Sequence, residues 1–409
     1  MHRGGWPAWP SFDERTVDAV AGAVRSGRWT VTGGWTGVDT YERRFADRFA
    51  ELVGVRHCVS TDHGSSSLVL ALEALGVGAG DEVVVPVLTW VATATAVLNV
   101  NAVPVFVDVD PATGCMAPEA LAAALTERTT AVIAVHLNCR MADMDAILAV
   151  AAAAGVPVVE DGAQAHGARW RGRVAGSLGA VGAFSMQQGK VLTCGEGGAV
   201  VTGDDRLYDR LVQLRADSRR YRDDEPRLGD PYLTDAGDVM GTNCCLSEPQ
   251  AALLLDQLDR LEAQLERREK AAAFLDRELG HVDGLHPLER SAHLERASVF
   301  RYALRCDPEA LAGRPAAVVG QAIGAELGVR VHPTDEPLHR NALYCPQTKE
   351  RYRGLHDRLA AAARGPFPVA ERLYDELVLI PHNVLLAGDG DLDHVVEACA
   401  KVAALAGSL

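Results

Sequence analysis

Short apolar segments alternate with alanine-rich stretches of helical character through the first half of this 409-residue chain. The apolar segments cover residues 81–86, 103–109, 131–135, 156–160, 181–185 and 199–202. Short, almost wholly apolar strands are typical of parallel sheets that are buried on both faces, and alternation with helices supplies the connections. The pattern therefore predicts an α/β fold with a mostly parallel, helix-covered sheet, preceded by a helix over about 12–28.

The length and the 48% hydrophobic content are sufficient for a large core, and they suit a large domain followed by a smaller one. Residues from about 249 to 275 carry apolar side chains at helical spacing and are expected to form a helix that links the two domains. Residues 299–305 indicate a strand of the smaller domain. We place the boundary after residue 260, which gives an N-terminal arm and large domain over 1–260 and a small C-terminal domain over 261–409.

Charge and cysteine usage exclude several classes of function. A net charge of −15 argues against nucleic acid or an anionic membrane as a partner. No apolar run is long enough to span a bilayer and the start does not resemble a signal segment, so a cytoplasmic location is expected. The nine cysteines are scattered without a CxxC pair, which predicts neither a disulfide framework nor a metal site.

Lys190 is the sole lysine in the first 269 residues, in a chain that has 40 lysines and arginines in all. It ends the segment Phe184–Lys190 and precedes the glycine-rich Gly195–Gly198. A primary amine can lose its proton and form a Schiff base, whereas a guanidinium cannot. The position predicts imine chemistry; the alternative is an ordinary surface lysine beside a turn.

Asp161 follows the apolar run 156–160 and therefore falls at the C-terminal end of a buried strand, where α/β sheets bind ligands. A carboxylate there can hold the protonated ring nitrogen of pyridoxal phosphate. Gln164, three residues on, can reach the phenolic oxygen of the same cofactor. The alternative for Asp161 is a cap of the turn that follows.

Gly64, Ser65 and Ser66 lie between a short strand and an apolar helix. Backbone N–H groups and hydroxyls at the start of a helix can bind an anion, which the helix dipole also favours. Ser185 and Gln187 can supply further phosphate contacts. An ordinary helix N-cap looks much the same, so this signal alone leaves both interpretations open.

Together these segments resemble the StrS/DegT family of sugar and cyclitol aminotransferases, which use pyridoxal 5′-phosphate and have fold type I. The resemblance rests on Gly33–Trp35, Gly80–Pro86 with Thr89–Trp90, Asp161–Gly167, Phe184–Gly198 and Gly241–Asn243. It implies a large domain with a mostly parallel seven-stranded sheet and a smaller α+β C-terminal domain.

The resemblance also implies a role for each candidate residue. Lys190 would bind the cofactor as a Schiff base and carry the catalytic proton, with the cofactor passing through its pyridoxamine 5′-phosphate form. Trp90 would stack on the cofactor ring, for which the alternative is a core aromatic. The remaining cofactor residues are Asp161 at the ring nitrogen, Gln164 at the phenolic oxygen, Gly64, Ser65, Ser66, Ser185 and Gln187 near the phosphate, and Asn243 of the neighbouring subunit. A homodimer with shared active sites follows.

Within the family, the chain is similar to the glutamine-dependent scyllo-inosose and 2-deoxy-scyllo-inosose aminotransferases of aminoglycoside pathways. The segments are Trp6–Pro10, Met141–Asp145, Lys190–Thr193, Gly241–Glu248, Pro337–His339, Tyr344–Lys349 and Ile380–Asn383. This implies L-glutamine as donor and a keto-cyclitol as acceptor. The chain departs from the family pattern at Gly189, where Thr or Ser is usual, at Asn138–Cys139 and at Cys194.

Substrate residues are harder to assign from the sequence. Arg219, His332, His339 and His382 are candidates, and each is alternatively a surface or packing residue. Rival acceptors are a nucleotide-linked keto-sugar or the precursor used by aminohydroxybenzoate synthases, and a basic cluster at the pocket mouth would favour the nucleotide. A catalytically silent, aminotransferase-like binding protein is a further alternative, against which intact Lys190, Asp161 and Gln164 argue.

Overall fold

The computed structural model describes residues 5–222 and 224–409. The α-helices are α1 Glu14–Arg25, α2 Tyr41–Val53, α3 Gly64–Ala74, α4 Ala92–Asn99, α5 Pro118–Ala124, α6 Met144–Ala153, α7 Asp205–Arg215, α8 Glu248–Leu279, α9 Ala316–Leu327, α10 His356–Ala362, α11 Pro368–Glu376 and α12 Asp389–Ala404. The strands are β1 His57–Thr61, β2 Glu82–Pro86, β3 Val103–Val107, β4 Thr129–Val135, β5 Val158–Asp161, β6 Arg169–Trp170, β7 Arg173–Val174, β8 Val181–Ser185, β9 Gly198–Thr202, β10 Arg219–Tyr221, β11 Leu233–Asp235, β12 Leu285–Pro287, β13 Leu294–Arg296, β14 Arg301–Cys306, β15 His332–Pro333 and β16 Leu377–Pro381. Short 3₁₀ turns cover Pro346–Thr348, Glu350–Leu355, Val384–Leu386 and Ala406–Ser408.

The large sheet has seven strands in the order β1-β9-β8-β5-β4-β2-β3. The five strands from β8 to β3 run parallel to one another, and β9 runs antiparallel to both β1 and β8. The residues of β2 are all buried, as expected for a strand with helices on both faces. The predicted α/β class and the mostly parallel sheet are confirmed.

The register of the parallel strands sets where the functional residues lie. Val135 at the end of β4 pairs with Asp161 at the end of β5, and Asp161 pairs with Ala183 of β8. The C-terminal ends of these strands therefore meet at one edge of the sheet, and the chain leaving β8 carries Lys190 over that edge. The fold brings the amine and the carboxylate to the same place from positions 29 residues apart in the sequence.

Helix α8 leads from the large sheet to the smaller domain. Ser247 and Gln250 form a capping box at its start, and Pro249 lies in its first turn, so the helix begins where the sequence favours it. Beyond it, β12, β14, β16 and β15 form an antiparallel four-stranded sheet. Because α8 runs without a break through residue 260, the boundary placed there stays a prediction.

In the part of the chain that the structure describes, no helix is both long enough and apolar enough to cross a membrane. Across residues 5–222 and 224–409, His, Cys, Asp and Glu side chains do not gather in groups of three or more that could hold a metal ion.

Candidate active site

A cavity of about 780 Å³ opens at the C-terminal edge of the large sheet, between that edge and the small domain. Most of the residues predicted for the site line it: Gly64, Ser65, Trp90, Asp161, Gln164, Ser185, Gln187, Lys190, His332 and His382. They come from three strand ends, the start of one helix and two segments of the small domain. The long-range pairing of these elements therefore gathers side chains that are dispersed over more than 300 positions of the sequence.

Lys190 lies in the turn after β8, where its backbone N–H donates to the carbonyl oxygen of Gln187 at 2.8 Å. Its Nζ is 4.5 Å from the centre of the Phe300 ring. Burial lowers the pKa of Lys190 to about 8, with Arg301 adding to the decrease and Asp161 opposing it. The neutral, nucleophilic form of the amine is therefore accessible close to neutral pH.

This pKa gives a direct prediction for the pH dependence of Lys190 reactivity. A group with a depressed pKa loses its proton at lower pH, so labelling of Lys190 by a neutral amine reagent should rise about tenfold per pH unit below 8 and level off above it. Competitive labelling of the apoprotein followed by peptide mass spectrometry measures this, with the exposed Lys270 as the reference for reagent reactivity. Labelling that still rises tenfold per unit above pH 9 would contradict the assignment.

Asp161 presents a buried carboxylate to the cavity, with 7% of its surface exposed. Its Oδ2 accepts from the Thr93 hydroxyl at 2.9 Å and its Oδ1 from the Ala163 N–H at 3.1 Å. Burial raises the pKa of Asp161, while these donors and Lys190 oppose the increase. Among the residues that the structure describes, no arginine or lysine forms a salt bridge with it, so the carboxylate is suited to a cationic ligand group.

Gln164 has its amide oriented by a backbone group. Its Oε1 accepts from the N–H of Asn138 at 2.7 Å, which leaves the amide nitrogen as the group available to a ligand. Asn138 has a left-handed backbone, with φ of 57°, and its carbonyl oxygen accepts from the N–H of Phe300 at 3.0 Å. The departure from the family pattern at Asn138 thus lies where the large domain is joined to the small-domain wall of the cavity.

The start of α3 forms the end of the cavity suited to an anion. Its N-cap, His63, makes no side-chain capping bond, so the first N–H groups of the helix are not covered by a side chain. Gly64 packs against Ser185 so closely that an added Cβ would lie 2.4 Å from the Cβ of Ser185. Ser66, unlike Gly64 and Ser65, does not line the cavity and lies near the Cys244 thiol.

Trp90 lies between β2 and α4, and 52% of its surface is exposed on the cavity side. A core aromatic would be covered by neighbouring side chains, so the alternative interpretation of Trp90 is excluded. The open indole face is available to stack on a planar ligand.

Besides Ser66, three of the predicted residues do not line this cavity within one chain. Asn243 is exposed, and its Oδ1 accepts from the Cys245 N–H at 3.2 Å. Arg219 pairs with Asp217 at 3.0 Å. His339 pairs with Glu371 at 3.0 Å inside the small domain. The polar atoms of Arg219 and His339 are thus directed to local partners outside this cavity, and their assignment as substrate residues stays a prediction.

The histidines that do line the cavity differ in what they can offer a substrate. His332 uses Nδ1 in a 2.7 Å contact with the carbonyl oxygen of Pro333, and burial lowers its pKa. His382 has both ring nitrogens engaged, with Arg268 and with the carbonyl oxygen of Gly189. Within the described residues, both ring nitrogens of His382 are therefore occupied, whereas His332 has a hydrogen-bond contact at Nδ1 alone; the assignment of both as substrate residues stays a prediction.

Sequence reasoning missed several charged residues of the cavity, namely Arg301, Arg330, Asp335 and Glu196. Arg301 and Asp335 approach each other to 3.7 Å, and the buried Nη1 of Arg301 has no hydrogen-bond acceptor within the described residues. The charged positions 301, 330 and 335 lie in the small domain, where no motif indicated a ligand. Only the folded arrangement of that domain over the sheet edge reveals them.

A lysine amine and a strand-end carboxylate in a cavity at the edge of this seven-stranded sheet define the class of fold type I aminotransferases. The family model of the DegT/DnrJ/EryC1/StrS aminotransferases matches residues 10–400, and the chain belongs to this family. It is an aminotransferase, as the motifs predicted.

Relatives with assigned activities match over nearly the whole chain. It is 45% identical over 399 residues to the L-glutamine:2-deoxy-scyllo-inosose aminotransferase of Streptoalloteichus tenebrarius, covering 97% of this chain and 94% of that protein. It is 44% identical over 399 residues to the L-glutamine:scyllo-inosose aminotransferase of Streptomyces griseus, with the same coverage. Among solved structures, 3-amino-5-hydroxybenzoic acid synthase is 32% identical with a TM-score of 0.82, covering 98% of this chain and 99% of that one.

Proposed function

We propose that this enzyme uses pyridoxal 5′-phosphate to transfer an amino group from L-glutamine to a keto-cyclitol such as 2-deoxy-scyllo-inosose or scyllo-inosose. The reaction would serve the biosynthesis of an aminoglycoside-type compound. The similarity to relatives with these substrates supports the proposal. The observation that carries it is the cavity in which Lys190 lies beside Asp161 and under the small domain.

The residues present fit the cofactor at each of its functional groups. Asp161 is a buried carboxylate without a salt bridge among described residues, which suits a protonated ring nitrogen. Gln164 offers its amide nitrogen to the phenolic oxygen, and Trp90 offers its face to the ring. The uncovered start of α3, with Gly64 against Ser185, suits the phosphate. When bound, the cofactor supplies the electron sink that allows an amino group to be exchanged.

The residues of the chain supply the remaining chemistry. Lys190 has a pKa of about 8, so its amine can act as a nucleophile and can also accept and return a proton near neutral pH. Asp161 holds a negative charge opposite the ring nitrogen, and Thr93 fixes the orientation of that carboxylate. Phe300 lies over the amine and restricts the access of water to it.

The charges of the cavity favour a neutral acceptor over a nucleotide-linked sugar. Its lining has three basic side chains, Lys190, Arg301 and Arg330, and three carboxylates, Asp161, Glu196 and Asp335. A diphosphate would call for an excess of positive charge at the mouth, and the described lining is balanced. A polyhydroxylated ring instead needs mixed donors and acceptors, which this set provides.

An acceptor and donor panel tests the proposed function. The holoenzyme is incubated with L-glutamine, L-glutamate or L-alanine and with either a keto-inositol or a nucleotide-linked keto-sugar, and the aminated product is quantified by mass spectrometry. We expect the keto-inositol with L-glutamine to be preferred by about a hundredfold in kcat/KM, which corresponds to about 2.7 kcal/mol. Preference for the nucleotide-linked sugar would overturn the acceptor assignment while leaving the aminotransferase chemistry intact.

We also propose that the active enzyme is a homodimer in which Asn243 completes the phosphate site of the partner subunit. Asn243 is exposed and lies outside the cavity of its own chain. In a twofold dimer such a contribution is reciprocal, so each protomer gives and receives the same residue.

Subunit exchange tests this arrangement. Asn243→Ala is expected to weaken cofactor retention about tenfold, because one hydrogen bond to a charged group is lost. Mixing it with Lys190→Ala should produce heterodimers with one site that carries both lesions and one that carries neither, and activity should partly return. If exchange is verified by mass and no activity returns although Asn243→Ala alone is impaired, the shared site is disproved.

A further inference from the structure

The two residues before Lys190 have their carbonyl oxygens held by side chains from distant parts of the chain. Trp9, in the N-terminal arm, donates its indole N–H to the carbonyl oxygen of Gln188 at 2.9 Å. His382, just after β16 of the small domain, places Nε2 at 3.1 Å from the carbonyl oxygen of Gly189. Both peptide units that lead into the reactive lysine are therefore restrained from outside their own loop.

A buried arginine determines how His382 can bond. The Nη2 of Arg268, on α8, lies 3.1 Å from Nδ1 of His382. Because a guanidinium only donates, Nδ1 must accept, and the ring proton is then carried by Nε2 and donated to the carbonyl oxygen of Gly189. Burial, with Arg268 close by, also lowers the pKa of His382 to about 3, so the ring stays neutral and keeps this tautomer throughout the working pH range.

The burial of Arg268 is not explained by contacts that stabilise its charge. Its side chain is completely buried, and its Nε and Nη1 have no acceptor in the described part of the chain. Its guanidinium lies 5.0 Å from the centre of the Trp9 ring, and Trp9 meets His382 edge-on at 4.7 Å. Burying a cation whose recorded polar and ring contacts are an imidazole and an indole is costly, so the arrangement is better explained by the orientation that it imposes on Trp9 and His382.

We propose that Trp9, Arg268 and His382 form a carbonyl clamp that positions Lys190 by fixing the peptide units of Gln188 and Gly189. The inference rests on the proposed function only in taking Lys190 as the reactive amine. The clamp is needed because Gly189 has no side chain to restrict its backbone, whereas the family pattern has Thr or Ser there. It joins the N-terminal arm, α8 and the small domain to one loop, so the position of the amine depends on how these parts are assembled.

Trp9→Phe tests the clamp, because it keeps an aromatic ring and removes the N–H. Hydrogen–deuterium exchange of the apoprotein is measured for the amides of residues 188–190, and we expect exchange about fivefold faster than in the wild type. The midpoint of Lys190 labelling should also move upward from pH 8, because a looser loop exposes the amine to water. Trp6→Phe is the matched control, since Trp6 makes the same type of bond to the carbonyl oxygen of Leu327 at 2.7 Å, away from this loop.

A second pair of variants examines the other half of the clamp. His382→Leu removes the donor, whereas His382→Gln retains an amide N–H that can reach the carbonyl oxygen of Gly189, so exchange should be about fivefold faster in the first and close to wild type in the second. If Trp9→Phe matches Trp6→Phe within about twofold in exchange and labelling, the clamp is refuted even if His382→Leu fails to fold. These apoprotein measurements do not depend on the substrate, so they separate failure of the clamp from failure of the proposed function.

Discussion

Lys190→Ala is expected to reduce amino transfer by a factor of about 10⁴ or more, because it removes both the nucleophile and the group that carries the proton. In the wild type, borohydride treatment of the holoenzyme should leave a pyridoxyl group on the peptide that contains Lys190. The variant should still bind the cofactor through the contacts of Asp161 and the start of α3, without forming that covalent bond. Single-turnover assays and peptide mass spectrometry measure the two effects separately.

Two matched variants show whether the loss of activity is due to the missing amine of Lys190. Lys190→Arg keeps a cation next to Asp161 but cannot form an imine, so it should be as inactive as the alanine variant. Lys270→Ala removes an exposed lysine of α8 and should behave as the wild type. Near-normal turnover in either Lys190 variant would show that the reaction does not pass through this amine.

Local sequence patterns were sufficient to predict the sheet and the centre of the site. Strands such as Val181–Ser185 are short and almost wholly apolar because helices cover both faces, so composition alone marks their positions. Asp161 was identifiable by its place at a strand end, where α/β folds bind ligands, and Lys190 as the sole lysine of the first 269 residues, next to a glycine-rich segment. The family pattern then connected the two positions.

Other parts of the site depend on tertiary contacts that no local pattern contains. His382 was predicted to face a substrate, yet it bonds to a carbonyl oxygen 193 positions earlier in the chain. Arg301 and Asp335 approach each other across the small domain, and neither position belongs to a recognisable motif. Ser66 lies in the predicted anion-binding turn, but it does not line the cavity, because successive residues at a helix start face different directions. Residue type thus predicted which groups can bind a ligand chemically, while packing determined which of them face the cavity.

Asp161→Asn is expected to reduce turnover about a hundredfold or more, equivalent to at least about 2.7 kcal/mol of transition-state stabilisation. The amide keeps the shape of the side chain, and one of its atoms can still accept from the Ala163 N–H. The variant loses the negative charge that would face the ring nitrogen. That charge contributes strongly to transition-state stabilisation because the site is shielded from water. The thermal stability of the apoprotein should stay close to that of the wild type, because burial raises the pKa of Asp161 and a neutral group is easily tolerated at this position.

Thr93→Val separates the charge of Asp161 from its orientation. The valine has nearly the shape of threonine and removes the hydroxyl, which donates to Oδ2 of Asp161 at 2.9 Å and lies 3.0 Å from the hydroxyl of Thr89. Loss of one hydrogen bond to a charged group should reduce turnover about tenfold, so this variant should lie between the wild type and Asp161→Asn. If Asp161→Asn stays within about threefold of the wild type, another group must stabilise the charge on the ring. If Thr93→Val is the more severe of the two, the hydroxyl of Thr93, and not the carboxylate that it orients, makes the decisive contact.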